Sequence, residues 1–283
     1  MALSGWNISM SKHEMRCLTW IGFAFILLTL VCDSVVSGAE GGTETRSTRR
    51  ITVVFNNVPH RPDLTTAWGF AAVIETPAQT VLFDTGGDGV KLLSNMVRLG
   101  IEPGQIALVV LSHIHADHSG GLDAFLARNS HVTVAVPESF PASFNMSVRA
   151  RGARLQMVGG PTRLSGPFYS TGEMGSVIKE QALIVDAAKG LVVVTGCAHP
   201  NVVAMARAAR EYLAKDIYLL MGGFHLLGMK EREILSVITE LKALKITKVA
   251  PSHCTGEKAT ALLRAAWGGN FVDGGLGAVI DLP

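Results

Sequence analysis

Cysteine is scarce, with four residues in 283. Cys17 and Cys32 fall in the first forty residues, which leaves Cys197 and Cys254 for the body of the chain. Two cysteines do not make a disulfide framework, so a small stapled scaffold is excluded. An excess of charge of one sign is lacking too: 25 Lys and Arg against 23 Asp and Glu give a net charge of +2. No Lys/Arg cluster is dense enough to follow a phosphate backbone, and nucleic acid is not an expected partner. The absence of internal repeats and long low-complexity tracts sets aside solenoids and linker-rich architectures. Hydrophobic runs long enough to span a membrane are missing as well, since the run at 18–31 is shorter than the roughly 18 residues a spanning helix needs.

That run nevertheless has the surroundings of a secretory signal. Lys12 and Arg16 precede it, and Val35-Val36-Ser37-Gly38-Ala39 follows with the small residues of a cleavage site. The expectation is an exported protein, periplasmic or secreted, that loses residues 1–39. A membrane contact would then come only from an uncleaved leader acting as an anchor. Residues 40–50 are polar, rich in Thr, Arg and Gly, and read as a flexible tether. Residues 51–283 are the expected domain; with 48% of the chain hydrophobic and 17% charged, it can bury a full core.

The stretch that carries chemistry is Leu111-Ser112-His113-Ile114-His115-Ala116-Asp117-His118-Ser119-Gly120-Gly121. It follows an apolar run at 105–111 that reads as a buried strand and precedes a short helical pattern at 122–128. Three imidazoles and a carboxylate within six residues are costly to desolvate unless a divalent cation pairs with them. Alternating His113 and His115 can face one ion while Asp117 and His118 turn toward a second. Gly120 and Gly121 let the chain leave the crowded loop without a Cβ clash.

Elsewhere, strands read at 51–55, 68–75, 80–83, 132–136, 182–185, 191–194, 217–221 and 248–250, and helices at 90–99, 201–213 and 230–244. Residues 137–166 read as irregular, with Arg149, Arg151, Arg154 and Arg163 on a solvated face. Asp84, at a strand end before glycines, suits a carboxylate that orients a ligand histidine. Three successive strands end in a histidine, in Thr195-Gly196-Cys197-Ala198-His199, Gly222-Gly223-Phe224-His225 and Ser252-His253-Cys254-Thr255-Gly256. Side by side in a sheet, they bring His199, His225 and His253 to the edge where open α/β sheets bind ligands. Each cysteine of the body lies within two residues of a histidine, so metal chemistry competes with a single bridge.

Taken together, Leu82-Phe83-Asp84-Thr85-Gly86, the Ser-His-x-His-x-Asp-His-x-Gly-Gly-Leu stretch, Lys179-Glu180-Gln181-Ala182-Leu183, Thr-Gly-Cys-x-His, Gly-Gly-Phe-His-Leu and His-Cys-Thr-Gly resemble a branch of the metallo-β-lactamase fold. That branch includes the archaeal 7,8-dihydropterin-6-methyl-4-(β-D-ribofuranosyl)aminobenzene-5'-phosphate synthase and many bacterial metal-dependent hydrolases. The resemblance implies an α/β fold, an αββα sandwich of the metallo-β-lactamase type, with one or two divalent ions, zinc foremost, at one edge. It implies that His113, His115 and His199 bind one ion and that Asp117, His118 and His253 bind the other. Relatives carry a further histidine after the loop and a Thr-Gly-Asp turn. Here the interval from Ser119 to Gly196 holds only His131, and the turn reads Thr-Gly-Cys. Either His199 replaces the missing histidine, or Cys197 replaces the Asp, or both.

The function so implied is hydrolysis of a small-molecule ester, lactone, amide or phosphoester by metal-activated water. Asp117 is the expected proton relay and His225 the expected oxyanion or phosphate holder, with a metal ligand or a cap of the next helix as its alternatives. His115 stands where oxygen-reducing di-iron relatives carry a carboxylate, which favours hydrolysis over redox chemistry. The alternatives are a pterin phosphate synthase-like condensation and a non-catalytic metal-binding protein of the same fold.

Overall fold

The computed structural model describes residues 49–282; the expected leader and most of the expected tether lie outside that range. Among the described residues no helix is long and apolar enough to cross a membrane.

The chain alternates strands and helices in two halves. The first half comprises β1 (Arg50–Asn56), β2 (Phe70–Glu75), β3 (Thr80–Phe83), α1 (Gly89–Arg98), β4 (Ile106–Val110), α2 (Ala116–Ser119), α3 (Leu122–Leu126), β5 (Thr133–Pro137), α4 (Ala142–Ala150) and β6 (Arg154–Val158). The second comprises β7 (Thr162–Ser165), β8 (Phe168–Ser170), β9 (Leu183–Ala187), β10 (Gly190–Thr195), α5 (Val202–Leu213), β11 (Ile217–Gly223), α6 (Glu231–Ala243), β12 (Lys248–Ser252), α7 (Glu257–Trp267) and β13 (Val279–Asp281). The last strand returns to pair with β1, giving sheet orders β13-β1-β2-β3-β4-β5-β6 and β12-β11-β10-β9-β8-β7.

Side-chain alternation explains the four layers. In β10, Val192 and Val194 join a core with Phe70, Phe83 and Val110 of the other sheet. Their neighbours Leu191 and Val193 face the opposite way, into a core with Val202, Ile238 and Leu263 of the helices. The outer face of the first sheet is covered in the same way by Leu92, Met96, Phe125 and Val148. Strands buried on both faces are apolar almost throughout, and each of these side chains contributes about 1.5–3 kcal/mol on burial. The result is the expected αββα sandwich.

Local signals hold where they were strongest. Asp88 caps α1 by accepting from the N–H groups of Val90 and Lys91, and Asn201 caps α5 through Val203 and Ala204. Residues 137–166, expected to be irregular, instead contain α4, β6 and β7. β6 and β7 are edge strands. Exposure along β6 leaves only Val158 buried, so their sequences carry no period-2 apolar signal. The strand expected from residue 51 begins at Arg50, which pairs with Glu75.

Parallel pairing then aims strand ends at one place. β3 and β4 are parallel neighbours, as are β10, β11 and β12. Asp84 and the histidine stretch therefore leave one sheet at the same end, and the three histidine-bearing turns leave the other at the same end. Thr85 fastens the stretch by donating from its N–H and its hydroxyl to the His118 carbonyl, at 2.7 and 2.9 Å.

Gly121 is required by space: a Cβ there would lie 2.1 Å from the Thr85 carbonyl oxygen. Gly121→Ala is expected to lower stability in urea unfolding by about 1–3 kcal/mol through overpacking. An unchanged midpoint would contradict this packing.

Candidate metal centre

β4 ends at Val110, and the backbone carries Ser112 and His113 into the interior, both fully buried. Four of the five converging imidazoles, all but His115, are held by an oxygen on the Nδ1 side. The Ser112 hydroxyl donates to Asp84 Oδ2 at 2.7 Å, so its oxygen is left to accept from His113 Nδ1 at 2.9 Å. His118 Nδ1 donates to the same Asp84 oxygen at 2.7 Å. His199 Nδ1 donates to Glu180 Oε2 at 2.9 Å, and His253 Nδ1 to Asn57 Oδ1 at 2.7 Å. With those protons placed, the Nε2 atoms face the centre and can bind a cation once any proton on them is displaced.

His113 Nε2 is buried without a hydrogen-bond partner. His118 Nε2 lies 3.2 Å from both His253 Nε2 and the Cys197 sulfur. Asp117 Oδ2 is 3.5 Å from His118 Nε2 and 3.3 Å from His253 Nε2. A cation fits this set of donors, since it satisfies at once groups that otherwise repel. Ligand atoms of His113, His115 and His199 lie within 4.8 Å of one another, and so do those of Asp117, His118, Cys197 and His253.

Electrostatics agree. Burial, with the charge of His118, drives the His113 imidazole down to about 2, which keeps it neutral. For His118 burial is opposed by Asp84 and Asp117, which push it up to about 10, so a proton stands there until a cation displaces it. Burial would raise the Asp117 carboxyl, but hydrogen bonds and charge from His118 and His253 hold it far below its usual range.

The structure thus brings His113, His115 and His199 together, and Asp117, His118, His253 and Cys197 together. Both substitutes weighed in the sequence, His199 and Cys197, lie at the centre, in different donor groups. The three strand-end histidines come to one edge of the sheet, as expected, and fall in different donor groups. His225 is exposed, with its ring 4.5 Å from that of His199 and its donor atom grouped with Cys197 and Cys254. The parallel register sets the three turns side by side, and each then turns its histidine its own way. His225 and His253 do so from left-handed backbone, at φ 53° and 52°.

Glu180 is the residue that sequence reasoning left without a role. Fully buried, it accepts from the backbone N–H groups of Gly196, Cys197 and Ala198 through Oε1 and from that of His199 through Oε2, at 2.8–3.1 Å. One carboxylate therefore shapes the whole Thr-Gly-Cys-Ala-His turn and also orients the His199 ring. Its neighbour Gln181 ties the sheets together, donating to the Leu111 carbonyl at 2.9 Å. The signal was present as an isolated carboxylate abutting the apolar run 182–185. Asn57 and Ser112 carried no comparable signal.

The sequence profile of the metallo-beta-lactamase superfamily matches residues 69–205, a span that holds the histidine stretch and the Cys197 turn. Over that span the chain is similar to the metallo-β-lactamase superfamily. A Methanocaldococcus jannaschii protein named 7,8-dihydropterin-6-methyl-4-(beta-D-ribofuranosyl)-aminobenzene-5'-phosphate synthase is 29% identical over 224 residues, 63% of this chain and 76% of that one. An uncharacterized protein of the same organism is 26% identical over 76% of this chain and 93% of its own length. In structure, a metal-dependent hydrolase of the β-lactamase superfamily superposes with a TM-score of 0.69 at 24% identity, covering 82% of this chain and 98% of that one. The likeness shows that the fold is that of the superfamily.

Burial would raise the Glu180 carboxyl, but the His199 imidazole, with His113 and the turn N–H groups, lowers it to about 2 from an ordinary 4.5. A carboxylate depressed in the folded state adds stability that is complete above about pH 4.5 and disappears as pH falls toward 2. Glu180→Gln, with chelator present, is expected to cost about 3–5 kcal/mol at neutral pH and to flatten the acid limb of the stability profile. An unaltered acid limb would contradict this role.

Proposed function

We propose that the chain is a zinc-type metal-dependent hydrolase acting outside the cytoplasm on a small-molecule ester, lactone, amide or phosphoester. The observation that carries this reading is the set of imidazoles whose Nδ1 protons are all committed to oxygens, which leaves their Nε2 atoms convergent. His113, His115 and His199 would hold one ion, and Asp117, His118, Cys197 and His253 the other. The Cys197 thiolate favours a borderline-soft metal such as zinc over magnesium or calcium. A bound divalent ion of this kind supplies Lewis acidity and brings the pKa of water near neutrality.

The chain's own groups would do the rest. Asp117, with a carboxylate 22% exposed, is the acid of the centre that reaches solvent; it orients the attacking water and accepts its proton at Oδ2. His225, on its exposed turn, donates to the oxyanion or to a substrate phosphate. Beside His253 lies a cavity of about 670 Å³ lined by Trp68, Leu227, Val58 and Pro59 together with Glu257, Lys258 and Arg264. Such a cavity suits a substrate with an apolar body.

The synthase relative supports a second reading, condensation on a pterin phosphate, for which the same cavity offers an aromatic wall in Trp68. The expected leader weighs against it, because activated pterin phosphates are cytosolic metabolites.

Turnover of a panel of esters, lactones, amides and phosphoesters, with a pterin phosphate included, separates the readings. His113→Ala and Asp117→Ala are each expected to lower hydrolysis by about a hundredfold or more. Full activity in both variants would overturn the assignment, and condensation without hydrolysis would favour the second reading.

A further inference from the structure

Cys254 takes no part in either donor group, although it is buried, free and next to His253. The short turn His253–Thr255 sends its first two side chains different ways. His253 reaches Asp117 and His118, whereas the Cys254 sulfur lies 3.6 Å from the Cys197 carbonyl oxygen. We infer that Cys254, Cys197 and His225 form a further cation site, sulfur-rich and open on one side, for a thiophilic divalent ion. It shares the Cys197 sulfur with the Asp117 group, and a thiolate can bridge two ions.

Three observations carry this. The ligand atoms of the three residues lie within 4.8 Å of one another, where a tetrahedral ion with zinc-like bond lengths asks for separations of roughly 3.5–4 Å. The backbone is arranged to bring the sulfurs together. A Cβ at Gly223 would lie 2.7 Å from the Cys254 sulfur, 3.2 Å from Cys197 Cα and 2.3 Å from the Gly196 oxygen, so only glycine admits this approach. Around it the three turns are tied to one another: Gly223 N–H donates to the Gly196 carbonyl, Phe224 N–H to the Thr255 hydroxyl and Leu227 N–H to the Cys254 carbonyl, each at 3.1 Å. Finally, the donors are two thiols and one exposed imidazole. Two sulfurs and a nitrogen with a fourth position left to solvent is the ligand set of an open Cys2His zinc site.

The inference goes beyond the hydrolase reading and can fail without it. The test is cadmium and cobalt(II) titration of the reduced full-length protein, followed by elemental analysis and by thiolate-to-cobalt charge-transfer absorption. Cys254→Ala is expected to bind about one cadmium ion per chain fewer than the parent and to lose roughly half of the charge-transfer intensity. His225→Ala, at an exposed position, is expected to weaken only that additional ion, by about 10- to 100-fold, and decides the matter should Cys254→Ala not fold. Equal cadmium uptake and equal absorption in the parent and the variants would overturn the further site while leaving the two-group centre standing. A Cys197–Cys254 disulfide in the untreated protein would overturn it as well. No uptake by the parent would overturn both.

Discussion

The centre depends on the placement of four protons. His113, His118, His199 and His253 each give the Nδ1 proton to an oxygen, of Ser112, Asp84, Glu180 and Asn57 in turn. Four Nε2 atoms are then gathered where water has little access. An unsatisfied buried polar atom costs about 1–3 kcal/mol, so several together rival a typical domain stability of about 5–15 kcal/mol. Binding of a zinc-type ion, at about 10–16 kcal/mol in small structural sites, exceeds that cost. A bound divalent ion would therefore offset the cost of gathering these groups.

The rest of the fold serves to keep those oxygens fixed. Asp84 sits at the end of β3, in left-handed backbone, and accepts from the Ser112 N–H as well as from the Ser112 hydroxyl and His118. Glu180 does the corresponding work for the other sheet, gathering four backbone N–H groups of the Cys197 turn. One buried carboxylate per sheet thus defines where its donors point. The sandwich between them is held by apolar contact of β2, β3 and β4 with β9, β10 and β11, which is indifferent to chemistry. Geometry at the centre is set by the carboxylates and rigidity by the core.

Much of this was legible in the sequence because the informative residues are local. His113 to His118 announce a metal loop within six positions, and Asp84 announces itself by following a strand. The strand and helix of each central unit were legible because strands buried on both faces are uninterrupted apolar runs. Edge strands were not, since β6 and β7 bury only Val158 fully and look like loop. Glu180 and Asn57 were missed for a different reason. Their partners are 19 and 196 residues away, and a local pattern, even where one was present as at Glu180, does not name the partner. His225 shows the limit of register reasoning: parallel pairing places the turn, but the backbone angle of one residue decides where the ring goes.

The most direct test of this account is anomalous diffraction from crystals of the protein grown with zinc and recorded on both sides of its absorption edge. The account requires one peak among His113, His115 and His199 and another bounded by Asp117, His118, Cys197 and His253, with the Nδ1 hydrogen bonds unchanged. Fully ordered crystals with no anomalous peak at either group would contradict it.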